Sequence, residues 1–149
     1  MQLITLLTTL LASTASAHFV LNYPPTVGPF NDGAQKTAPC GGYTPPYFNS
    51  STNITAGQFA ISMLSTHPQS QYLIRVSLNE TAPYTWTNVV PVISQQGLGE
   101  MCFPNLLRAP AGFEGRTALL QVVQTASDGA LYQVRLNNRL ITLGDERGR

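Results

Sequence analysis

From Gln71 to Leu78 every second residue is apolar, with Tyr72, Ile74, Val76 and Leu78 set between polar neighbours. A period of two places all four on one face of a half-buried β-strand. Phe59, Ile61 and Met63 repeat the pattern within residues 58–64, and further strands fit residues 18–23, 86–93, 117–124 and 130–136. Pro91 marks the strand over 86–93 as an edge or bulged one, since proline cannot donate to a ladder. Asp128-Gly129 is a hairpin signal between the last two strands. The 11 prolines and 12 glycines are spread along the 149 residues, which disfavours long helices. The expected fold is all-β, an immunoglobulin-like or fibronectin-III-like sandwich of about seven antiparallel strands.

Between the strands the sequence reads as turns. Residues 26–46 form a long loop rich in Gly and Pro that carries Cys40, and residues 97–104 form a second loop with Cys102. His67 lies in a tight polar turn over 65–70. Near the end, 140–143 offer a closing strand, while Arg135, Arg139, Arg147 and Arg149 make the last residues basic.

Charged residues are only 10% of the chain and the formal net charge is +1, without the clustered Lys and Arg of a nucleic-acid binder. The surface must then be made polar by Ser, Thr, Asn and Gln, which suits a secreted protein. Residues 3–11 are a short apolar run, followed by Ala15-Ser16-Ala17, a small-residue cleavage signal. The run is too short for a membrane span of about 20 residues. This divides the chain into a signal peptide (1–17), one domain (18–136) and a basic tail (137–149). Asn49, Asn53 and Asn79 each open an N-glycosylation sequon. In that setting Cys40 and Cys102 most simply form one disulfide, worth about 4 kcal/mol in the chain-entropy model; two separate thiols are the alternative.

Cleavage after Ala17 would leave His18 as the first residue. Its freed amine and its imidazole Nδ1 can chelate a metal, and His67, the other of the chain's 2 histidines, can add a third nitrogen. Such a nitrogen array suits Cu(II), which leads the divalent affinity order. A carboxylate from Asp128 or Asp32, both in turns, could supply a fourth ligand.

These pieces, in order, are His18-Phe19-Val20-Leu21-Asn22-Tyr23-Pro24-Pro25-Thr26, Ala38-Pro39-Cys40-Gly41-Gly42, Gly99-Glu100-Met101-Cys102-Phe103-Pro104 and Asp128-Gly129-Ala130-Leu131-Tyr132-Gln133. Together they resemble the lytic polysaccharide monooxygenase-like copper-binding proteins, the family of the fungal copper acquisition factor Bim1. The resemblance implies an immunoglobulin-like sandwich and one copper held by an N-terminal histidine brace with an aspartate, here His18, His67 and Asp128. It also implies an extracellular, cell-surface or wall-associated protein that handles copper without oxidising polysaccharide. A copper transporter or a wall polymer would be its partner. The family usually places a cysteine and an acidic residue after Leu-Tyr-Gln, where this chain has Val134-Arg135. Many relatives carry a C-terminal lipid anchor; no hydrophobic tail follows here, so none is expected.

Three functions compete: copper acquisition or buffering, copper-dependent polysaccharide oxidation, and a metal-free wall module using the sandwich as a scaffold. An aspartate on the metal would occupy a position that an oxygenase needs open, which favours the first.

Overall fold

The structure, a computed structural model, describes residues 17–45, 52–55 and 59–141, with 52–55 and 136–141 described by backbone alone. The apolar run over 3–11, the Asn49 sequon and residues 142–149 lie outside the described residues. The strands are β1 (Phe19–Tyr23), β2 (Thr52–Thr55), β3 (Phe59–Ser65), β4 (Gln69–Ser77), β5 (Thr87–Asn88), β6 (Ile93–Gln96), β7 (Gly99–Leu107), β8 (Ala118–Ala126) and β9 (Gly129–Ile141). They form two sheets. One has the order β1-β3-β7; the other runs β2-β9-β8-β4-β5, with β6 also on β4. Every pairing is antiparallel except β2 with β9. The all-β sandwich expected from the alternation is the observed fold.

The alternation works as anticipated. Phe19, Ile61, Met63, Tyr72, Ile74, Leu120, Val122 and Leu131 meet between the sheets and are fully buried. Burying each such side chain contributes about 1.5–3 kcal/mol. Strand β8 is buried on both faces from Ala118 to Gln124, so its sequence does not alternate. Its outward Leu119 lies with Val27, Cys40 and Val134 in a second cluster, flanked by Tyr43, Tyr84 and Trp86.

That outer cover comes from the loop between β1 and β2. Its backbone also pairs with β9, through Val27 N–H to Val134 O at 3.0 Å and Tyr132 N–H to Gln35 O at 2.8 Å. Gly41 explains part of the Pro-Cys-Gly-Gly stretch. Its φ is +63°, and a Cβ there would strike the Tyr132 carbonyl oxygen.

Three expectations change. Residues 97–104 are not a loop, because β7 pairs with β3 in the register Ile61↔Phe103 and Met63↔Met101. Gly99 and Pro104 read as loop formers, but β7 is an edge strand, where proline costs little. The strand expected over 86–93 is split into β5 and β6, both on the edge of β4, with Pro91 in the gap.

The disulfide is the third correction. Cys40 and Cys102 are both free thiols, one buried and one exposed. Cys40 packs outside the larger sheet with Leu119 and Val134. Cys102 faces outward from β7 in the other sheet, between the half-buried Met101 and Phe103. The whole sandwich lies between them, far beyond disulfide reach. Burial pushes the Cys40 thiol up, partly offset by its hydrogen bond with Tyr84. Tyr84 itself is pushed up to about 12, by burial and then by Cys40. Val134, the position where the resemblance leads one to expect a cysteine, is a neighbour of Cys40 in that cluster.

Candidate metal centre

Four chain segments meet at one end of the sandwich. They are the start of β1, the β3–β4 turn, the β6–β7 turn and the β8–β9 turn, brought together by the registers Phe19↔Ser65, Gln71↔Thr125 and Gln69↔Gln96. His18, His67 and Asp128 all lie there.

His67 is only 2% exposed. Its Nε2 meets Asp128 Oδ1 at 2.7 Å. A carboxylate accepts, so Nε2 is the nitrogen that carries a proton, and in the neutral form of the ring Nδ1 keeps the lone pair. That Nδ1 is buried and has no hydrogen-bond partner. Asp128 sits in the two-residue turn between Ala126 and Gly129, which are paired in register. Lys36 approaches it twice, with Nζ 3.1 Å from its carbonyl oxygen and 3.6 Å from Oδ2. Oδ2 itself is buried without a hydrogen bond. Burial alone would raise the Asp128 carboxyl; the hydrogen bond from His67, the charge that ring carries when protonated, the backbone of Asp128 and Lys36 outweigh it and hold the group below its ordinary value.

His18 is held differently. Its backbone N–H donates to Thr66 Oγ1 at 2.8 Å, while its carbonyl accepts from Thr66 N–H at 3.0 Å and Thr66 Oγ1 at 3.0 Å. Thr66 precedes His67, so the two histidines are tied by one residue. The His18 ring donates from Nε2 to the Asp32 carbonyl at 3.2 Å and stands edge-on to Phe30, with centroids 6.1 Å apart. A carbonyl can only accept, so here too Nδ1 is the open nitrogen. Metal-bound histidines commonly donate their second N–H to a carboxylate or carbonyl in this way.

The structure therefore brings His67 and Asp128 into contact and places His18 beside them through Thr66. Among the described residues it assembles no group of three His, Cys, Asp or Glu side chains ready to hold an ion. Asp32 contributes its carbonyl to His18, whereas its carboxylate accepts from Gly33 N–H at 2.7 Å, so of the two candidate carboxylates Asp128 is the one on His67. Copper chemistry fits the donor types present: two imidazoles and a carboxylate, with His67 Nδ1 and Asp128 Oδ2 buried and lacking hydrogen bonds.

Sequence reasoning passed over the glutamines. Gln35, Gln95, Gln124 and Gln133 are buried among the elements that carry the histidines, not on the surface. A usable signal existed. Gln124 and Gln133 stand in phase with the inward residues Val122 and Leu131.

A family profile described as "Copper acquisition factor BIM1-like" matches residues 16–134. An uncharacterized protein of Aspergillus fumigatus is 28% identical over 129 residues, which is 81% of this chain and 52% of that protein. The chain thus spans about half the length of the curated relative it matches. The profile covers most of the chain, including all three candidate ligands, so the chain belongs to the copper acquisition factor BIM1-like family and has a copper-related role.

Proposed function

We propose that the protein is secreted, that removal of residues 1–17 frees the His18 amine, and that the mature chain holds Cu(II) as cargo in copper acquisition at the fungal cell surface. The ligands are the His18 amine and imidazole, the His67 imidazole and the Asp128 carboxylate. The observation that carries this reading is the His67–Asp128 contact at 2.7 Å, a buried imidazole against a partly buried carboxylate, beside the start of β1. Burial keeps competing water from the His67 ring, and a copper ion entering between His67 Nε2 and Asp128 Oδ1 would take the place of the hydrogen bond that joins them in the metal-free chain. Lys36 holds the carboxylate in place from the other side.

Secretion is supported by the apolar run and the Ala-x-Ala signal ahead of His18. Exposed Asn79, in the turn after β4, is the glycosylation acceptor with a described side chain. The family description names copper acquisition and supports holding copper over polysaccharide oxidation. A cell-surface transporter or wall polymer would receive the ion or retain the protein.

Mature protein with a free His18, titrated with Cu(II) and followed by electron paramagnetic resonance, tests the reading. A tight site with nitrogen hyperfine structure, and no oxidised oligosaccharides on adding reductant and peroxide, is expected. Absence of a tight site would overturn the copper reading, and oxidised products would replace acquisition with catalysis.

A further inference from the structure

Buried amides stand behind both histidines. On the His18 side, Gln133 of β9 accepts from Leu21 N–H at 2.8 Å and donates to the Phe19 carbonyl at 2.6 Å. This is the bond pair that a neighbouring strand would supply to the free edge of β1, made instead by one side chain from the opposite sheet. Gln35 donates to the same Phe19 carbonyl at 2.6 Å. The residue bearing two amide donors is the one directly after His18.

On the His67 side, Gln95 of β6 donates to the His67 carbonyl at 3.1 Å and to the Gly97 carbonyl. It accepts from Ser70 Oγ at 2.5 Å and Tyr72 Oη at 3.3 Å. Gln124 of β8 places Nε2 at 2.8 Å from Ser65 Oγ, 3.1 Å from Ser70 Oγ and 2.6 Å from Tyr72 Oη. Ser65 Oγ in turn accepts from His67 N–H at 3.2 Å. The His67 carbonyl is therefore fixed by Gln95 of β6, and its N–H by Ser65 of β3, which Gln124 of β8 holds in turn.

We propose that Gln133 and Gln95 are positioning residues that set the separation of His18 and His67, and through it the affinity of the site for copper. The inference rests on the copper reading above. An apolar side chain would fill either position, as Leu131 and Ile93 do two residues earlier in the same strands. An amide, unlike an apolar side chain, donates and accepts from separate atoms, so Gln133 can hold both the carbonyl and the N–H of a strand edge. Exchanging groups that orient metal ligands typically weakens binding about 10–100-fold.

The control is Gln121, equally buried on β8 but bonded to the Pro39 carbonyl and to Arg75 on the opposite face. Gln95→Leu, Gln133→Leu and Gln121→Leu are compared in mature chains beginning at His18. Measurements are thermal unfolding, Cu(II) affinity by competition, the resonance spectrum and amide exchange without metal. Expected are about 10–100-fold weaker copper binding and altered hyperfine splitting for the first two, with wild-type values for Gln121→Leu. Faster exchange of the Leu21 amide is expected in metal-free Gln133→Leu alone. Gln95→Met replaces Gln95→Leu if the latter does not fold. Wild-type copper affinity in the Gln95 and Gln133 variants would overturn the proposal. So would equal affinity losses in all three variants at matched stability. A mature wild-type chain that binds no Cu(II) would overturn the copper reading first, and this inference with it.

Discussion

His67 and His18 stand at the same end of one sandwich and are prepared in opposite ways. His67 is 2% exposed, its ring bonded to Asp128 and its backbone bonded to Ser65 and Gln95. His18 stands just before the first strand and is only partly buried, and its N–H is still part of a peptide bond to Ala17. The fold builds one half of the site by itself. On the proposed reading the other half depends on a cut in the chain. Folding and metal competence would then be separate steps, with copper binding only after His18 acquires its amine.

The sharpest way to break that contrast is to remove the built half. His67→Ala deletes a ligand and leaves the Asp128 carboxylate without its partner. Copper affinity should fall by more than the roughly 100-fold that outer groups command, as measured by calorimetric titration. A loss below tenfold would mean that His67 is not a ligand.

Asp128→Asn comes next. The amide keeps the shape of the turn and one carbonyl oxygen but removes the charge of a ligand, and about a 100-fold drop in affinity is expected, the upper end of what groups outside the ligand set command. The same variant carries a pH signature without metal. Because the folded carboxyl is held below its ordinary value, its contribution to stability is fully present above the unfolded pKa of about 3.9 and is lost as pH falls through the lower folded value. Melting temperature against pH should therefore drop less steeply below pH 4 in Asp128→Asn than in the wild type. Identical acid limbs would show that the His67–Asp128 pair does not stabilise the fold.

Thr66→Val should have the smallest effect. It removes the hydroxyl that accepts from His18 N–H and donates to its carbonyl, while Thr66 N–H still binds that carbonyl. A change of about threefold in copper affinity is expected, close to one net hydrogen bond of about 0.5–1.5 kcal/mol. A loss as large as that of His67→Ala would mean that the hydroxyl, not the cut, organises the His18 half.

Local chemistry made part of this legible in the sequence. The alternation of Tyr72, Ile74 and Val76 reports burial directly, Asp128-Gly129 reports a turn, and Pro91 reports a missing donor. What the sequence concealed depends on partners far along the chain. Strand β7 looked like a loop because Gly99 and Pro104 are turn residues in isolation, and only pairing with β3 makes them strand. The cysteines looked like a pair because sequence order says nothing about which face of a sandwich each occupies. Glutamine is ordinarily a surface residue, so the buried amides behind the histidines were invisible until their acceptors were in place. The site itself was half legible. Histidine scarcity and the cleavage signal pointed to His18, whereas the contact of Asp128 with His67 needed the hairpin and the β3–β4 turn to be folded side by side.

If cleavage before His18 completes the site, one residue decides whether the chain holds copper. Two chains that differ by one residue, one beginning at His18 and one retaining Ala17, test it when titrated with Cu(II) under the same conditions. Tight binding by the first chain and at least a hundredfold weaker binding by the second, a loss beyond the roughly 10–100-fold that groups outside the ligand set command, are expected, with equal melting temperatures for the metal-free forms. Equal copper affinity in the two chains would contradict it.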